Sequence, residues 1–374
     1  MKWFGRKAAR VAARPALLRH GFAPAGVGEW PRSYEAQVRE AYVSNPVAQR
    51  AVRLVAEGCA GASIYEFKDS PSTGSGRAGS LVSSALIETV AAHLLLHGNA
   101  FVQVICDAEG VPAELFALRP ERVSVEADGS GWPAAYLYKA GEARTRIAAR
   151  DGLGRPGLVH LKAMHPLDDH YGLGCLGAAA GPVAIHNEAT RWNKALLDNA
   201  ARPSGAMMYD PGDGIGPTAE QYDRLRSELE TMFQGAANAG RPMLLEGALK
   251  WQPISLSPAD MDFVGLKAAA AREIALAFGV PPMLLGLPGD ATYANYKEAN
   301  RALWRLTILP MMDRILSGIS GALGAWWPGV KLQVDLDLVT ALAEDRERLW
   351  AQVSGADFLS PDEKREMLGF EVKS

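Results

Sequence analysis

Two helix-forming stretches, separated by an independent folding unit, constrain this sequence more than any other feature. The first, residues 176–199, has apolar residues at spacings of four, three and four from Ile185 to Leu196, which is the period of one helical face. The second begins at Ser257-Pro258, a capping residue followed by proline at the first helical position. Residues 203–256 lie between them and carry turn and strand signals of their own. This order predicts a small unit carried on a pair of helices.

The intervening unit is itself predicted to combine strands with one helix. Ser204 to Tyr209 is typical of a strand, and Thr218-x-x-Gln221 is a capping box that opens a helix. Met243 to Leu245 and Leu249 to Ile254, separated by Glu246-Gly247, indicate a hairpin.

The chain ahead of the first long helix mixes helices with short strands. Residues 33–61 predict a helix with a start at Asn45-Pro46, residues 69–80 predict a loop, and a stripe from Val82 to Leu94 predicts a second helix. Gly98 can end that helix by adopting a left-handed conformation. Five β-rich runs separated by turns follow: Phe101–Cys106, Glu114–Leu118, Arg122–Val125, Trp132–Lys139 and Leu158–Lys162. The predicted fold class is therefore α+β.

A proline-interrupted helix is the main feature of the chain after the second long helix. Pro281-Pro282 ends that helix, and residues 284–293 follow as a loop with an apolar start. A helical pattern then runs from Asn295 to Ile319 with Pro310 inside it. Because proline has no N–H to donate and its ring crowds the preceding turn, we predict a kinked helix. The rest of the chain predicts a strand and two short helices: Lys331–Leu336, a stretch from Leu338 to Val353, and a start at Ser360-Pro361.

The overall charge argues against a tight, sequence-independent nucleic-acid binder. The formal net charge is -3, whereas such binding needs many Lys and Arg side chains to displace counterions from phosphates. A channel through which DNA slides remains compatible with this charge. The first 20 residues differ from the rest, because they contain no acid and six basic residues: Lys2, Arg6, Lys7, Arg10, Arg14 and Arg19. A solvated basic arm is the simplest interpretation.

Neither the apolar runs nor the cysteines of this sequence indicate a specialised class of protein. No uninterrupted run of about 18 apolar residues is present, so we predict no membrane span. The three cysteines have no CxxC spacing, and Cys59 and Cys106 are expected to be buried because they fall in apolar stretches.

The sequence offers no convincing catalytic or metal site. His93 and His97 have the spacing of a zinc-protease helix, but Leu94 stands where that motif needs glutamate. The other clusters have simpler explanations as loop or surface residues: His160, His165, His170, Asp168 and Asp169, and the pair Asp335 and Asp337. No phosphate-binding loop or nucleophile elbow occurs. We therefore predict a non-enzymatic protein without metal or cofactor, with a metal-dependent hydrolase using His93 and His97 as the alternative.

Several longer stretches resemble the phage portal family, in particular the portals of siphophage-like particles and gene-transfer agents. They occur in the family's order between about residues 40 and 325: HLLLHGNAFVQV with GVPAELFALRPERVSV, DHYGLGCLGAAAGPVAIHNEA, RPSGAMMYD, NAGRPMLLEGALKWQPIS, AFGVPPMLLGLPGDATYANYKEA and LTILPMMDRI. Infectious phage, prophage and gene-transfer agent all remain open as the type of particle.

The resemblance implies a portal fold with named parts. These are a basic N-terminal arm (1–32), the first part of the wing (33–175), a stem helix (176–202), the clip (203–256), a second stem helix (257–280), a tunnel loop (281–293), the kinked helix and strand of the wing (294–337) and a short helical crown (338–374). Small residues on the stem helices suit repeated close packing around a ring of about twelve copies.

The resemblance also implies a function, partners and site residues. The ring would form a DNA channel at one capsid vertex of a virion or phage-like particle assembled in the host cytoplasm. Its expected partners are further copies of itself, double-stranded DNA, the terminase large subunit, a head-tail adaptor and the major capsid protein, with no membrane. Candidate DNA-facing residues are Leu287, Asp290, Thr292, Tyr293 and Lys267, and candidate clip contacts are Glu220, Arg224 and Glu228. Another adaptor or capsid component is a further alternative.

Overall fold

The computed structural model describes residues 33–68, 77–198, 205–209, 249–253, 263–287 and 293–368, together with 218–220, 223, 224 and 227. The α-helices are α1 Tyr34–Val38, α2 Pro46–Ala60, α3 Arg77–Ser80, α4 Ser84–His97, α5 Leu176–Asp198, α6 Phe263–Ala277, α7 Tyr293–Leu303, α8 Leu309–Leu323, α9 Ala343–Ser354 and α10 Pro361–Met367. The strands are β1 Ile64–Lys68, β2 Asn99–Cys106, β3 Pro112–Leu118, β4 Val123–Ala127, β5 Pro133–Ala140, β6 Ala143–Ala148, β7 Leu158–Lys162, β8 Gly205–Tyr209, β9 Leu249–Pro253 and β10 Val330–Val334.

The described strands form four small antiparallel sheets, with the orders β3-β2-β7, β4-β5-β6, β1-β10 and β8-β9. In the last of these, Gly205 pairs with Pro253 and Tyr209 with Leu249, so the two ends of the inserted unit pair with each other. The predicted hairpin partner, Met243 to Leu245, lies outside the described residues. Mixed helix and sheet confirms the predicted α+β class.

The main core forms where helices α2, α4 and α8 pack together and against strand β2. Helix α2 starts at Asn45, whose side-chain Oδ1 accepts hydrogen bonds from the backbone N–H groups of Val47 and Ala48 at 3.0 Å each. Its small residues allow close approach, since a Cβ added at Gly58 would lie 2.5 Å from the Cδ1 of Ile308. The second half of α6 also lies in this core through Ile274, and Phe278, the residue after α6, is buried there as well.

The helix with an internal proline is continuous but changes its hydrogen-bonding pattern. Between α7 and α8 the chain forms a π-helical turn, Trp304–Ile308, closed by a hydrogen bond from the Leu309 N–H to the Trp304 carbonyl. Pro310 sits in the first turn of α8, where its missing N–H costs least. At the position of the predicted kink the structure thus has a π turn, which accommodates the hydrogen bond lost at Pro310.

Two chain segments cross at Gly98, which ends helix α4 in the left-handed conformation with φ 78°. A Cβ at Gly98 would collide with the backbone of Leu173 and Gly174. Asn99 stabilises this contact between the two segments with two hydrogen bonds. Its Oδ1 accepts from the Gly172 N–H at 2.7 Å, and its Nδ2 donates to the Gly172 carbonyl at 3.1 Å. The glycines around residue 172 therefore serve a close backbone contact.

Several expectations were wrong or incomplete. Residues 77–80 form α3 inside the predicted loop, and β1 and β6 were not predicted. Cys106 is exposed because it lies at the end of β2, whereas Cys59 is buried as expected.

The helical run Asn295–Leu323 is long and apolar enough to cross a membrane by length and composition, which differs from the prediction that no such stretch exists. No other helix in the described part of the chain meets these criteria. Met312, Ile315 and Ile319 of this run are fully buried in the main core, and the core helix of a globular domain passes the same test.

Replacing Gly98 with alanine is expected to destabilise the subunit by several kcal/mol, because the left-handed φ and the backbone collision both oppose a side chain. Chemical denaturation of the isolated subunit measures this. The matched control is Gly177→Ala in helix α5, where an added Cβ meets no atom within 4 Å. The control is expected to gain up to about 1 kcal/mol. Equal effects of the two substitutions would contradict the crossing as the cause.

Candidate functional site

The paired helices α5 and α6 form the most distinctive surface of the described chain. They contact each other along their length, and the Trp192 and Phe263 rings stack with centroids 4.1 Å apart. One end of the pair is held in the core through Ala179 and Val183 on α5 and Ile274 on α6. The pair therefore has a buried base and a tip stiffened by an aromatic stack.

Large apolar side chains on this pair remain uncovered in a single chain. Val264 is 83% exposed and Leu276 is 78% exposed, both on α6. Leu266 and Ile185 are also exposed. Four exposed apolar side chains on one pair of helices are what a surface of contact with another protein requires.

A buried polar cluster ties helix α5 to the start of helix α2. Asn45 donates from Nδ2 to the Oδ1 of Asn187 at 2.9 Å and lies 3.2 Å from the Nδ1 of His186. Asn187 in turn donates to the backbone carbonyl of Glu40 at 3.0 Å. All three of Asn45, His186 and Asn187 are buried. Asn45 was predicted only as a helix start, and nothing in the sequence indicated its partners 141 and 142 residues away.

Lys267, predicted to face the channel, lies on α6 and is partly buried. Burial and the nearby Lys267 charge both lower the pKa of His186. A neutral His186 can accept the Asn45 hydrogen bond at Nδ1, so the lysine helps to keep the polar cluster in its bonded state.

The predicted tunnel loop leaves helix α6 at a fixed point. Gly279 adopts a left-handed φ of 67°, and its carbonyl accepts a hydrogen bond from the Thr307 hydroxyl at 2.7 Å. Thr307 belongs to the π turn before Pro310, so the irregular helix positions the start of the loop. Pro282–Leu285 then form a 3-10 turn, a regular element that we had not predicted.

The candidate loop residues are only partly described. Leu287 is partly buried just after the 3-10 turn, and Asp290 and Thr292 lie outside the described residues. Tyr293 is the first residue of helix α7, so the loop ends one residue earlier than predicted.

Ion pairs hold the helix beyond the loop to the C-terminal region. Arg301 on α7 donates to Glu344 at 2.7 Å and lies 3.5 Å from Asp345, while Lys297 donates to Glu344 at 3.0 Å. Both acids are in the first turn of α9, where negative charge also suits the helix dipole. The region predicted as the crown is thus attached to α7, the helix that follows the predicted tunnel loop.

The candidate clip contacts Glu220 and Arg224 are exposed, and Glu228 lies outside the described residues. The described residues contain no group of three His, Cys, Asp or Glu side chains able to hold a metal ion. His97 packs edge-on against Tyr34 and lies 3.1 Å from the Asn99 Nδ2, and His165 accepts from the Leu167 N–H at 3.0 Å. The metal-dependent hydrolase built on His93 and His97 therefore gains no support.

The buried histidines predict sensitivity to acid. His160 donates toward Asn99 Oδ1 at 3.0 Å and stacks on Phe101, and burial lowers its pKa to about 3. Burial likewise lowers the pKa of His93 to about 4. Below pH 6.5 the unfolded chain binds more protons than the folded one, so stability falls as pH drops from 6.5 toward these lower values.

His160→Gln can keep a donor to Asn99 but does not titrate. Between pH 7 and pH 4 the free energy of unfolding of this variant is expected to fall by about 3 kcal/mol less than that of wild type. Denaturation of the isolated subunit across this pH range measures the difference. His165→Gln, at a partly exposed position, is the control and should follow the wild-type curve. Parallel curves for the His160 variant and wild type would contradict this role.

Asn45→Asp is expected to destabilise the subunit by about 2–4 kcal/mol, because it keeps the helix cap but replaces the buried donor with a second acceptor facing Asn187. Ser83→Asp at the exposed cap of α4 is the matched control and should change stability by less than about 0.5 kcal/mol. Thermal unfolding of both variants tests this. A loss no larger than the control's would show that capping alone explains Asn45.

Comparison with known proteins gives consistent matches over most of the chain. A family model described as "Phage portal protein" matches residues 46–369. A protein of Rickettsia felis described only as uncharacterized is 44% identical over 280 residues, covering 74% of this chain and 71% of that protein. A probable portal protein of Streptomyces phage phiC31 is 26% identical over 309 residues, covering 80% of this chain and 65% of the phage protein.

Solved structures match as well. A chain from the neck of a native gene transfer agent particle, computed with C12 symmetry, is 46% identical with a TM-score of 0.68, covering 94% of this chain and 97% of that one. The portal protein of an HK97-family phage from Corynebacterium diphtheriae shares the fold at 14% identity, with a TM-score of 0.56 over 84% of this chain and 99% of that one. These matches confirm the resemblance found in the sequence, and the chain belongs to the phage portal protein family.

Proposed function

We propose that this chain is a structural ring subunit that forms the DNA channel at one vertex of a gene-transfer-agent or phage-like capsid. The observation that carries this proposal is the α5–α6 pair, which is anchored at its base and exposes Val264 and Leu276. A neighbouring copy can cover these side chains in a closed ring. The relative with C12 symmetry supports twelve copies, and its 46% identity supports a gene transfer agent as the particle type.

The channel would act through shape and weak electrostatics. DNA must slide through the channel in both directions, so tight binding of its phosphates by Lys and Arg side chains would hinder its passage. The net charge of -3 fits this requirement. Leu287, Asp290 and Thr292 on the loop, and Tyr293 at the start of α7, would lie nearest DNA. The Thr307 hydrogen bond fixes the start of this loop, and the Arg301 ion pairs follow its end.

The remaining partners follow from the same arrangement. The clip, with Glu220 and Arg224 exposed, would meet the terminase large subunit during packaging and a head-tail adaptor afterwards. The major capsid protein would surround the wing. An adaptor or capsid component without a DNA-sized channel would not need two long helices flanking an inserted unit.

Placing a charge on the exposed apolar surface is expected to block ring assembly. Val264→Asp and Leu276→Asp should each lower the assembled fraction at least about tenfold, since each removes the burial of one large apolar side chain. Sedimentation velocity of the purified protein measures this. The control is Leu153→Asp, a residue 75% exposed on the turn between β6 and β7. Rings that survive both substitutions, or that are lost equally in the control, would contradict the proposed interface.

Deleting Pro288 to Ala291 is expected to leave rings intact while lowering the DNA content of each particle. The deletion shortens only the loop, because the Thr307–Gly279 bond and the Arg301 ion pairs lie outside it. Nuclease-protected DNA per particle is the measurement. A variant with these four residues replaced by Gly-Ser-Gly-Ser separates loop length from side-chain identity. Normal packaging by the deletion variant would refute the role of the loop.

A further inference from the structure

A cleft of about 740 Å³ lies away from the paired helices, between the β1–β10 sheet, the start of α8, and α10. Leu316 and Leu332 line it as buried apolar side chains, and Val334 and Met367 extend this apolar surface. The proposed channel gives this cleft no role. Its apolar lining makes it suitable for a segment that brings apolar side chains of its own.

The cleft also has an excess of negative charge. Its lining includes five carboxylates and two guanidinium groups: Glu66, Asp313, Asp335, Asp337 and Glu366, with Arg346 and Arg365. The Arg346 guanidinium group is already paired with groups of the cleft lining. Its Nε donates to Asp337 at 2.5 Å, and its Nη2 donates to the Leu368 carbonyl at 3.1 Å. The Arg346 hydrogen bond holds the pKa of the Asp337 carboxyl below its usual range, so Asp337 stays ionised. Asp313 and Glu366 are exposed.

One segment of the same chain has the complementary chemistry. Residues 1–22 contain six Lys or Arg residues and no acid, together with Trp3, Phe4, Leu17 and Leu18. The family model matches residues 46–369, so this segment lies outside the residues that the model matches. We propose that this basic N-terminal arm docks in the acidic cleft of its own subunit, with apolar side chains on the cleft lining and Lys and Arg side chains on the carboxylates.

Length and charge both favour this occupant. An extended chain covers about 3.3 Å per residue, so residues 1–32 could span roughly 100 Å and reach the cleft from Ser33. The other nearby segment, Gly369 to Ser374, follows Leu368 directly but carries Glu371 beside Lys373, so it offers no net positive charge. DNA would be repelled by the carboxylates, and docking would keep the basic arm away from DNA in the channel.

The experiment uses the full-length protein. Carbodiimide coupling joins Lys side chains to carboxylates in contact, and mass spectrometry of an equal mixture of ¹⁴N- and ¹⁵N-labelled protein identifies the linked pairs. Cross-links from Lys2 or Lys7 to Asp313 or Glu366 within a single isotope label are expected. Tryptic cleavage after Arg10 and Arg19 should be about fivefold faster in Asp313→Asn/Glu366→Gln than in wild type, because two ion pairs to the arm are lost.

The control variant is Glu114→Gln/Glu142→Gln, which neutralises two exposed carboxylates outside the cleft and should be cleaved at the wild-type rate. A rise to 0.5 M salt should speed cleavage of wild type, because salt screens exposed ion pairs. Arm cross-links of which about half join different labels, as random pairing between subunits gives, would overturn the proposal. Cross-links of the arm to other surfaces, or arm protection seen only with added duplex DNA, would overturn it too. Cleavage rates that are equal in the cleft and control variants would overturn it as well.

Discussion

The lost backbone hydrogen bond at Pro310 is the constraint on which the arrangement of helices depends. Because proline cannot donate to the carbonyl four residues earlier, the chain widens into the π turn Trp304–Ile308. That turn presents two consecutive side chains to different neighbours. Thr307 donates to the carbonyl of Gly279 at the end of α6, and Ile308 packs on Gly58 of α2. One local irregularity thus joins the α7–α8 helical run to α2 and to the chain that leaves α6.

The paired helices are consequently held at two chemically different points. Helix α6 is held by apolar burial, through Ile274 and Phe278, and by the Thr307 hydrogen bond that follows them. Helix α5 is held by the buried Asn45, His186 and Asn187 cluster. A buried polar cluster fixes one geometry, because any displacement leaves a donor or acceptor unpaired. A stiff base is what a helix pair needs if many copies are to pack side by side around one axis.

The sequence was informative where local chemistry decides the structure. The capping residues Asn45 and Ser360, the left-handed Gly98 and the position of Pro310 all produce features close to those predicted. Long-range partners were not predictable in this way. Strand β1 pairs with β10, far away in the sequence, so that Ile64 lies opposite Val334. Asn45 contacts Asn187, which is 142 residues further along the chain. The π turn before Pro310 was not predicted either, because the sequence shows where a backbone hydrogen bond is lost and not which helical turn accommodates the loss.

Electron microscopy of the particle vertex tests most directly whether the subunits form a ring with a DNA channel along its axis. A ring of about twelve subunits is expected, with α5 and α6 of each copy beside the channel and Val264 and Leu276 covered by neighbouring copies. A vertex without this ring, together with a purified protein that stays a compact monomer under all assembly conditions, would contradict it.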